Sequence, residues 1–332
     1  MDRQANRKLN KAEQDAFKEV LESWPVSVIV PTGSKCNLQC VFCTERGKTT
    51  IDQYQNLSFG TFLNYTNSLE FASSVGLYGW GEPFVNPHYV QIFEYVKDKF
   101  DGIEIHISTN GLLLTHEWID RLISYRYSVV NISLNAATRR TFTLLTKNRN
   151  FGKIVRNIDL LVEARGNRSR QSPFISLSFL VLKQNIHELP AFVELAAQLG
   201  VDCVLLLDLI ILEDRHYHYS LEGMEAETQE CLLRAEELSK RNGVKLISFT
   251  KTSCFREDTG TQCFDPWESF KICMNGDVNI CCYSKTTAGN LLQASVREIW
   301  NGEVYRYFRR TVNTNNPPFD CLSCPRKKRK RR

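Results

Sequence analysis

One short stretch, residues 26–43, indicates both the fold and the chemistry of this chain, and it reads VSVIVPTGSKCNLQCVFC. Its first five residues are mostly apolar and predict a buried β-strand. The loop that follows carries Cys36, Cys40 and Cys43 in the spacing C-x3-C-x2-C. Three thiolates are one fewer than a cubane iron–sulfur cluster normally takes, so one iron would keep an open position. A structural zinc site would need a fourth ligand nearby, and the next cysteine is Cys203. The spacing favours an open cluster; the alternatives are zinc binding, or cysteines that serve only as small hydrophobic residues.

The composition is that of an ordinary globular protein. The 332 residues are 42% hydrophobic and 24% charged, and this length predicts about two domains. No segment has the apolar core of a signal peptide or the length of a membrane span, so we expect a cytoplasmic protein. Cysteines in a reducing compartment serve metal sites rather than disulfides. The twelve cysteines therefore predict metal or cluster ligation.

The net charge of +5 comes from the C-terminus. Residues 326–332 are seven consecutive basic residues, and without them the chain has 35 basic residues against 37 acidic ones. The body therefore gives no electrostatic reason to expect a nucleic-acid partner. We interpret the run as a solvated, disordered tail, with docking to an anionic partner as the alternative.

Strand-like and helix-like segments alternate between residues 26 and 212. Six βα units predict an α/β fold, a partial (β/α)6 TIM-like barrel with its chemistry at the carboxyl ends of the strands. From residue 251, cysteines, turns and short strands predict a small α+β cysteine-rich domain. The predicted barrel strands are 26–31, 75–78, 103–107, 128–132, 174–182 and 201–207, and the helices between them are 59–73, 88–99, 117–124, 154–165 and 189–199. The expected domains are an N-terminal helical extension (1–25), the barrel (26–212), a bridging helix and strand (213–250), the cysteine-rich domain (251–325) and the tail (326–332).

The cysteine loop has an aromatic residue, Phe42, directly before its third cysteine. Strand, spacing and aromatic together resemble the radical S-adenosylmethionine (radical SAM) superfamily. The resemblance implies that Cys36, Cys40 and Cys43 hold a [4Fe-4S] cluster and that Phe42 lies beside the cofactor. It also implies that the open iron takes the amine and carboxylate of S-adenosyl-L-methionine, and that the fold is a partial barrel.

The turn after the second predicted strand reads Gly-Trp-Gly-Glu-Pro at residues 79–83. It is similar to the Gly-Gly-Glu-Pro motif with which the family holds the amino group of S-adenosylmethionine, although Trp80 departs from that pattern. The resemblance implies that Glu82 accepts from the ammonium and that the backbone at Gly81 assists. The alternative is a tight turn with a solvent-facing glutamate.

Polar side chains also follow the third and fourth predicted strands. Thr109 and Asn110 precede a glycine, and similar turns in the family lie near the ribose and methionine portions of the cofactor. Ser133 and Asn135 resemble the polar pair that contacts ribose or carboxylate. The alternative for the first turn is a helix cap.

The cysteine-rich region resembles the auxiliary-cluster modules called SPASM and, in their shortened one-cluster form, twitch. The likeness rests on a Gly-x4-Cys hairpin, a Gly-Asn turn, an Ile-Trp-Asn helix and a final C-x2-C, and twitch is the better match. Carried over residue by residue, the ligands of a second [4Fe-4S] cluster would be Cys263, Cys281, Cys321 and Cys324. Cys282 in place of Cys281, and a four-cysteine zinc site, are the alternatives.

The implied chemistry belongs to the cofactor. Reductive cleavage of S-adenosylmethionine gives a 5′-deoxyadenosyl radical that takes a hydrogen atom from the substrate. A fully thiolate-bound second cluster would accept an electron, so we expect an oxidoreductase that dehydrogenates a small sugar-like or secondary-metabolite substrate. An external one-electron donor such as flavodoxin or ferredoxin is implied.

Two other functions stay open. The first is a peptide-modifying maturase that forms a thioether or carbon–carbon bond; many such enzymes have a peptide-recognition domain before the barrel, and we expect only about 25 residues there. The second is a non-catalytic metal-binding module. The loop at 213–219, rich in acidic, histidine and tyrosine residues, is expected near the substrate, and no catalytic base is assigned.

Overall fold

The structure, a computed structural model, describes residues 1–44, 56–166, 172–211, 213–248, 262–322 and 324. The described residues belong to two compact units. Unit 1 contains those of Met1–Lys35, Asp52–Ile107 and Gly260–Arg332, and unit 2 contains those of Cys36–Ile51 and Ser108–Thr259. The predicted basic tail lies outside the described residues.

The described residues form ten strands and twelve α-helices. The strands are β1 (Ser27–Ile29), β2 (Ser74–Gly76), β3 (Glu104–Thr109), β4 (Ser128–Ser133), β5 (Phe174–Val181), β6 (Cys203–Asp208), β7 (Lys245–Ser248), β8 (Ser269–Ile272), β9 (Asp277–Asn279) and β10 (Thr287–Asn290). The helices are α1 (Arg3–Asp15), α2 (Phe59–Leu63), α3 (Tyr89–Lys99), α4 (His116–Ser124), α5 (Arg139–Thr146), α6 (Phe151–Gly166), α7 (Leu189–Gln198), α8 (Glu225–Asn242), α9 (Asp265–Glu268), α10 (Val296–Trp300), α11 (Glu303–Thr311) and α12 (Phe319–Leu322). Short 3₁₀ helices lie at Thr66–Leu69, Pro83–Val85, Ile186–Glu188 and Asp214–Tyr219.

Unit 1 is built on a sheet with the strand order β10-β9-β8-β1-β2-β3. β1 pairs in parallel with β2 and with β8, and β2 pairs in parallel with β3. β8, β9 and β10 form an antiparallel meander. The central residues Val28, Val75 and Ile105 are fully buried, as expected of parallel strands covered on both faces. The first strand of the cysteine-rich region therefore extends the parallel sheet beside β1.

The N-terminal helix α1 packs on unit 1 through polar side chains. Its buried residues are Asn6, Asn10, Glu13 and Gln14, and each buried polar group needs a partner. The Asn10 amide donates to the carbonyl of Trp267 at 2.6 Å. The Asn6 amide accepts from the backbone of Trp24 at 2.8 Å. These contacts fix α1 without an apolar face.

Unit 2 contains a four-stranded parallel sheet in the order β4-β5-β6-β7. Its buried strands are covered by amphipathic helices, such as α4, whose Trp118, Ile119, Leu122 and Ile123 face inward. The strand predicted in the bridging segment is β7, and it pairs in parallel with β6.

One predicted helix needs correction, and one observed helix was not predicted. The helix expected at 59–73 is α2 followed by a separate 3₁₀ helix, because the Thr66 and Ser68 hydroxyls donate to carbonyls of the preceding turn and compete with regular helix. Helix α5 was not predicted. It is short, and its apolar anchors are only Phe142 and Leu145.

Candidate active site

The three cysteines of the loop lie in unit 2 and are accessible. Cys36 is exposed, and Cys40 and Cys43 are partly buried. The backbone N–H of Leu38 donates to Sγ of Cys36 at 3.4 Å, and the N–H of Cys43 donates to the carbonyl of Cys40 at 3.2 Å. An N–H donor to sulfur stabilises a thiolate ligand. Phe42 is also partly buried.

Helix α5 anchors this loop. The backbone N–H of Gln39 donates to the carbonyl of Thr146 at 3.3 Å, and that of Val41 donates to the carbonyl of Leu145 at 2.8 Å. The last carbonyls of a helix have no partner within the helix, so they are available to the loop. Lys147 ends the helix in the left-handed conformation, with φ of 58°. The loop therefore docks on a helix C-terminus that the sequence did not reveal.

The opposite end of α5 is fixed by a buried carboxylate. Glu188, 7% exposed, accepts from the backbone N–H groups of Ala137 and Thr138 at 2.8 and 3.2 Å. It also accepts from the hydroxyls of Thr138 and Thr141, both at 2.6 Å. An anion at a helix N-terminus is favourable, so Glu188 holds the helix on which the cysteine loop rests.

Asn110 connects the turn after β3 to the cysteine loop. Its Nδ2 donates to Oδ1 of Asn37 at 2.7 Å and lies 3.9 Å from Sγ of Cys36. Its Oδ1 accepts from the N–H of Leu112 at 3.0 Å. The alternative of a helix cap is wrong, because α4 begins at His116 and is capped by Thr115.

The other polar residues predicted after β3 and β4 form hydrogen bonds within the protein. Thr109 is buried, and its Oγ1 accepts from the N–H of Gly111 at 3.1 Å. The Oγ of Ser133 accepts from Ser178 at 3.3 Å. Asn135 has a φ of 58°, and its Oδ1 accepts from the N–H of Leu180 at 2.8 Å.

The loop after β6 reaches the third cysteine. The Arg215 guanidinium donates to the carbonyl of Cys43 at 3.3 Å, and it pairs with Glu213 at 2.7 Å. The sequence placed this loop near the chemistry but did not single out Arg215. A cation at the carbonyl of a cysteine ligand would favour the added electron of a reduced cluster.

In unit 1, Gly81 and Glu82 lie against the backbone that precedes the first cysteine. The N–H of Gly81 donates to the carbonyl of Gly33 at 3.1 Å, and that of Glu82 donates to the carbonyl of Lys35 at 2.8 Å. A Cβ at position 81 would lie 2.2 Å from the Lys35 oxygen, so only glycine fits. Glu82 is 4% exposed, which rules out the solvent-facing alternative. Its carboxylate accepts from the N–H of Phe84 at 3.3 Å.

The auxiliary cysteines also lie in unit 1. Burial, the carboxylate of Asp265 and the neighbouring thiols of Cys321 and Cys324 raise the pKa of Cys263 to about 12. Burial and the same Asp265 also raise the pKa of Cys281. The carboxylate of Asp265 therefore acts on both thiols.

The two remaining cysteines of the module are placed differently. Cys282 is exposed. The charges that act on Cys273 are those of Lys271 and Asp277 rather than Asp265. Both observations favour Cys281 as the ligand from the hairpin.

The turn that bears the last two cysteines is held to the hairpin by Asp320. Its Oδ2 accepts from the backbone N–H groups of Lys285 and Thr286 at 2.9 and 3.0 Å. The hydroxyls of Ser284 and Thr286 donate to the same oxygen at 2.7 and 2.9 Å. Burial acts to raise the pKa of Asp320, but these hydrogen bonds outweigh it and lower that pKa.

Among the described residues, no group of three or more His, Cys, Asp or Glu side chains is arranged to hold a single metal ion. The chemistry of the two thiol sets nevertheless fits iron–sulfur clusters, which take cysteine thiolates. The close packing of Gly81 on the Lys35 backbone fixes the turn at 79–83 beside the first cysteine. No helix in the described ranges is long and apolar enough to cross a bilayer.

Comparison with known proteins identifies the class. The radical SAM superfamily model matches residues 30–196, half of the chain. The SPASM model, described as an iron–sulfur cluster-binding domain, matches residues 263–325. The chain therefore belongs to the radical SAM superfamily and carries a SPASM module. It is an enzyme that uses S-adenosylmethionine and a [4Fe-4S] cluster, and the module implies further cluster binding.

Two curated relatives illustrate the range of the family. A tungsten-containing aldehyde ferredoxin oxidoreductase cofactor-modifying protein of Pyrococcus furiosus is 25% identical over 312 residues, which cover 88% of this chain and 85% of the relative. A probable GTP 3′,8-cyclase of Methanocaldococcus jannaschii is 24% identical over 232 residues, covering 69% of this chain and 72% of that protein.

Two solved structures share the fold. Streptococcus suis SuiB bound to S-adenosylmethionine has a TM-score of 0.71 at 16% identity, covering 96% of this chain and 74% of SuiB. Native anSMEcpe with bound S-adenosylmethionine has a TM-score of 0.64 at 17% identity, covering 83% of this chain and 80% of that one. The predicted α/β fold, the superfamily, the SPASM-like module and the cofactors are confirmed. The shortened twitch form stays a prediction.

Proposed function

We propose that this enzyme catalyses a net two-electron oxidation of its substrate, with a cluster on the C-terminal module as the electron acceptor. The observation that carries the proposal is the group of partly buried thiols around Cys263, whose pKa is raised in part by the thiols of Cys321 and Cys324. The strand β8 of the same module pairs directly with β1. A saturated set of thiolates leaves no iron for substrate, so electron transfer is the natural role of the second cluster.

Each predicted ligand then has a defined role. Cys36, Cys40 and Cys43 hold the cluster with the open iron, and Glu82 accepts from the ammonium of S-adenosylmethionine. When bound, these groups would supply a radical that removes one hydrogen atom, while the auxiliary cluster takes one electron and a base takes one proton. The net loss from the substrate is then two electrons and two protons. Asn110 would orient the first cluster ligand through Asn37, and Arg215 would steady the carbonyl of Cys43.

The remaining predicted residues are proposed to contact S-adenosylmethionine. Thr109, Ser133 and Asn135 are placed by hydrogen bonds to neighbouring groups. We propose that these fixed side chains border the ribose and carboxylate of S-adenosylmethionine. In this proposal, Phe42 packs beside S-adenosylmethionine, and the backbone at Gly81 approaches the methionine part of the cofactor.

The test is anaerobic reconstitution followed by dithionite and S-adenosylmethionine. Wild-type protein should form 5′-deoxyadenosine, and replacing Cys36, Cys40 and Cys43 by alanine should abolish it. Replacing Cys321 and Cys324 by alanine should preserve formation of 5′-deoxyadenosine but abolish formation of the oxidised substrate. Oxidised product from the Cys321 and Cys324 variant at the wild-type rate would reject the acceptor role.

Two substrate classes fit this reaction. A small hydroxylated molecule would be oxidised at a carbinol carbon. A peptide is the second candidate, because SuiB has been solved bound to its precursor peptide SuiA, with a TM-score of 0.68 to this chain. Small-molecule and peptide fractions of the producing cells, added separately, distinguish the two. The productive fraction should accelerate 5′-deoxyadenosine formation and yield a product lighter by two hydrogens.

A further inference from the structure

A buried cation and an exposed aromatic ring meet in unit 1. Lys271 lies on β8 and is 9% exposed. Its ammonium lies 4.6 Å from the ring centroid of Trp80. Trp80 is 46% exposed and belongs to the turn at 79–83, in which Gly81 and Glu82 are fixed to the backbone at Gly33 and Lys35.

The charge of Lys271 is incompletely compensated. In the part of the chain that the structure describes, its ammonium contacts the Trp80 ring and forms no ion pair with a carboxylate. A cation–π contact offsets only part of the cost of withdrawing an ammonium from water. The deficit at Lys271 points to a ligand that brings its own negative charge.

The position of Trp80 indicates where that ligand lies. Its exposed ring offers a flat apolar surface beside the ammonium, and an aromatic face next to a cation suits an oxyanion attached to a carbon skeleton. The turn holding Trp80 is the one whose Glu82 is proposed to take the S-adenosylmethionine amine. A ligand on Trp80 therefore borders the cofactor-binding turn.

We propose that Lys271 and Trp80 form an anion site for the substrate, which binds a carboxylate or phosphate group of the molecule that is oxidised. The assignment to substrate rests on the proposed function, whereas the anion site itself does not. Lys271 supplies the charge-assisted hydrogen bond, and Trp80 covers the adjoining part of the substrate. The substrate class is thereby narrowed to molecules that carry an oxyanion.

The test uses reconstituted full-length protein labelled with 5-fluorotryptophan, which gives one ¹⁹F resonance for each of the five tryptophans. Sodium phosphate and sodium acetate are the probes, titrated separately at constant ionic strength with sodium chloride, because screening alone shifts weak contacts. The Trp80 resonance is assigned with Trp80→Phe. We expect it to shift saturably while those of the buried Trp267 and Trp300 do not. Which anion binds more tightly separates a carboxylate substrate from a phosphate one.

Variants of Lys271 decide whether the ammonium is responsible. Lys271→Met should weaken binding about tenfold or more, since a charge-assisted hydrogen bond is lost, and Lys271→Arg should retain it. Lys240→Met is the matched control, because Lys240 is exposed on α8 and pairs with Glu236. Equal shifts in wild type and Lys271→Met would overturn the site. Loss of S-adenosylmethionine affinity in place of anion affinity would also overturn it, by assigning Lys271 to the cofactor.

The two proposals fail separately. A Trp80 shift without 5′-deoxyadenosine formation would reject the proposed function and leave the anion site standing. Formation of 5′-deoxyadenosine without any Trp80 shift would overturn the anion site alone.

Discussion

Glu188 provides a sharp test of how the cysteine loop is supported. Its carboxylate accepts four hydrogen bonds at the N-terminus of α5, and the other end of that helix accepts the N–H groups of Gln39 and Val41. Removing the carboxylate should therefore weaken both the helix and the loop that rests on it. Glu188→Ala is the perturbation, with Glu188→Gln as the graded variant.

The magnitude follows from the contacts. A hydrogen bond to a charged group contributes about 1.5–3 kcal/mol. Thr138 is exposed, so water can replace Glu188 there. The N–H of Ala137 and the hydroxyl of the buried Thr141 are less accessible. We therefore expect Glu188→Ala to cost about 3 kcal/mol in the free energy of unfolding, and Glu188→Gln about half of that, because the amide keeps one acceptor.

Urea denaturation of the apo-protein measures this cost, provided that the slope of the transition is unchanged. The amount of iron bound per protein after reconstitution measures how well the cysteine loop holds its cluster, and this amount should be lower in Glu188→Ala. The control is Glu236→Ala on α8, which breaks an exposed pair with Lys240 and should cost less than about 1 kcal/mol. If Glu188→Ala unfolded at the wild-type urea concentration, the support assigned to α5 would be refuted.

Three further predictions address the turn, the module and its thiols. Gly81→Ala places a Cβ 2.2 Å from the Lys35 oxygen, so 5′-deoxyadenosine formation should fall by about tenfold or more as the turn shifts; an unchanged rate would contradict the close approach. Asp320→Asn should destabilise the module by about 1 kcal/mol at neutral pH. Because the folded pKa of Asp320 is lowered, its contribution is present above the unfolded value and is lost as the pH falls through the folded pKa, so the difference between variant and wild type in thermal melts should vanish in acid. Asp265→Asn should lower the pKa of Cys263, because the Asp265 carboxylate helps to raise it. Since ligation displaces the thiol proton, the auxiliary cluster should then assemble at lower pH. An unchanged pH profile of cluster assembly, followed by absorbance, would contradict this prediction.

The sequence was sufficient for features that local pattern determines. The alternation of apolar runs predicted the strands that became β1 to β6 within a few residues, since buried parallel strands need continuous apolar stretches. The cysteine spacing and the Gly-x-Gly-Glu-Pro turn identified the superfamily, because both are short motifs with a fixed chemical purpose.

Contacts between distant residues could not be predicted. Glu188 and Thr138 are 50 positions apart, and Asn110 and Asn37 are 73 apart. Helix α5 was not predicted because two buried apolar residues give too weak a helical period. Lys271 looked like an ordinary strand residue, and only the fold brings it to Trp80.

We propose that Cys36, Cys40 and Cys43 alone hold a cluster whose fourth iron accepts S-adenosylmethionine. Electron paramagnetic resonance of the reduced protein tests it directly, in a variant with Cys263, Cys281, Cys321 and Cys324 replaced by alanine so that only this cluster remains. Addition of S-adenosylmethionine should change the signal of the [4Fe-4S] centre, and S-adenosylmethionine labelled with ¹⁷O at the carboxylate should broaden it. A signal that is indifferent to S-adenosylmethionine would contradict this assignment, because it would show that no iron of the cluster binds the cofactor.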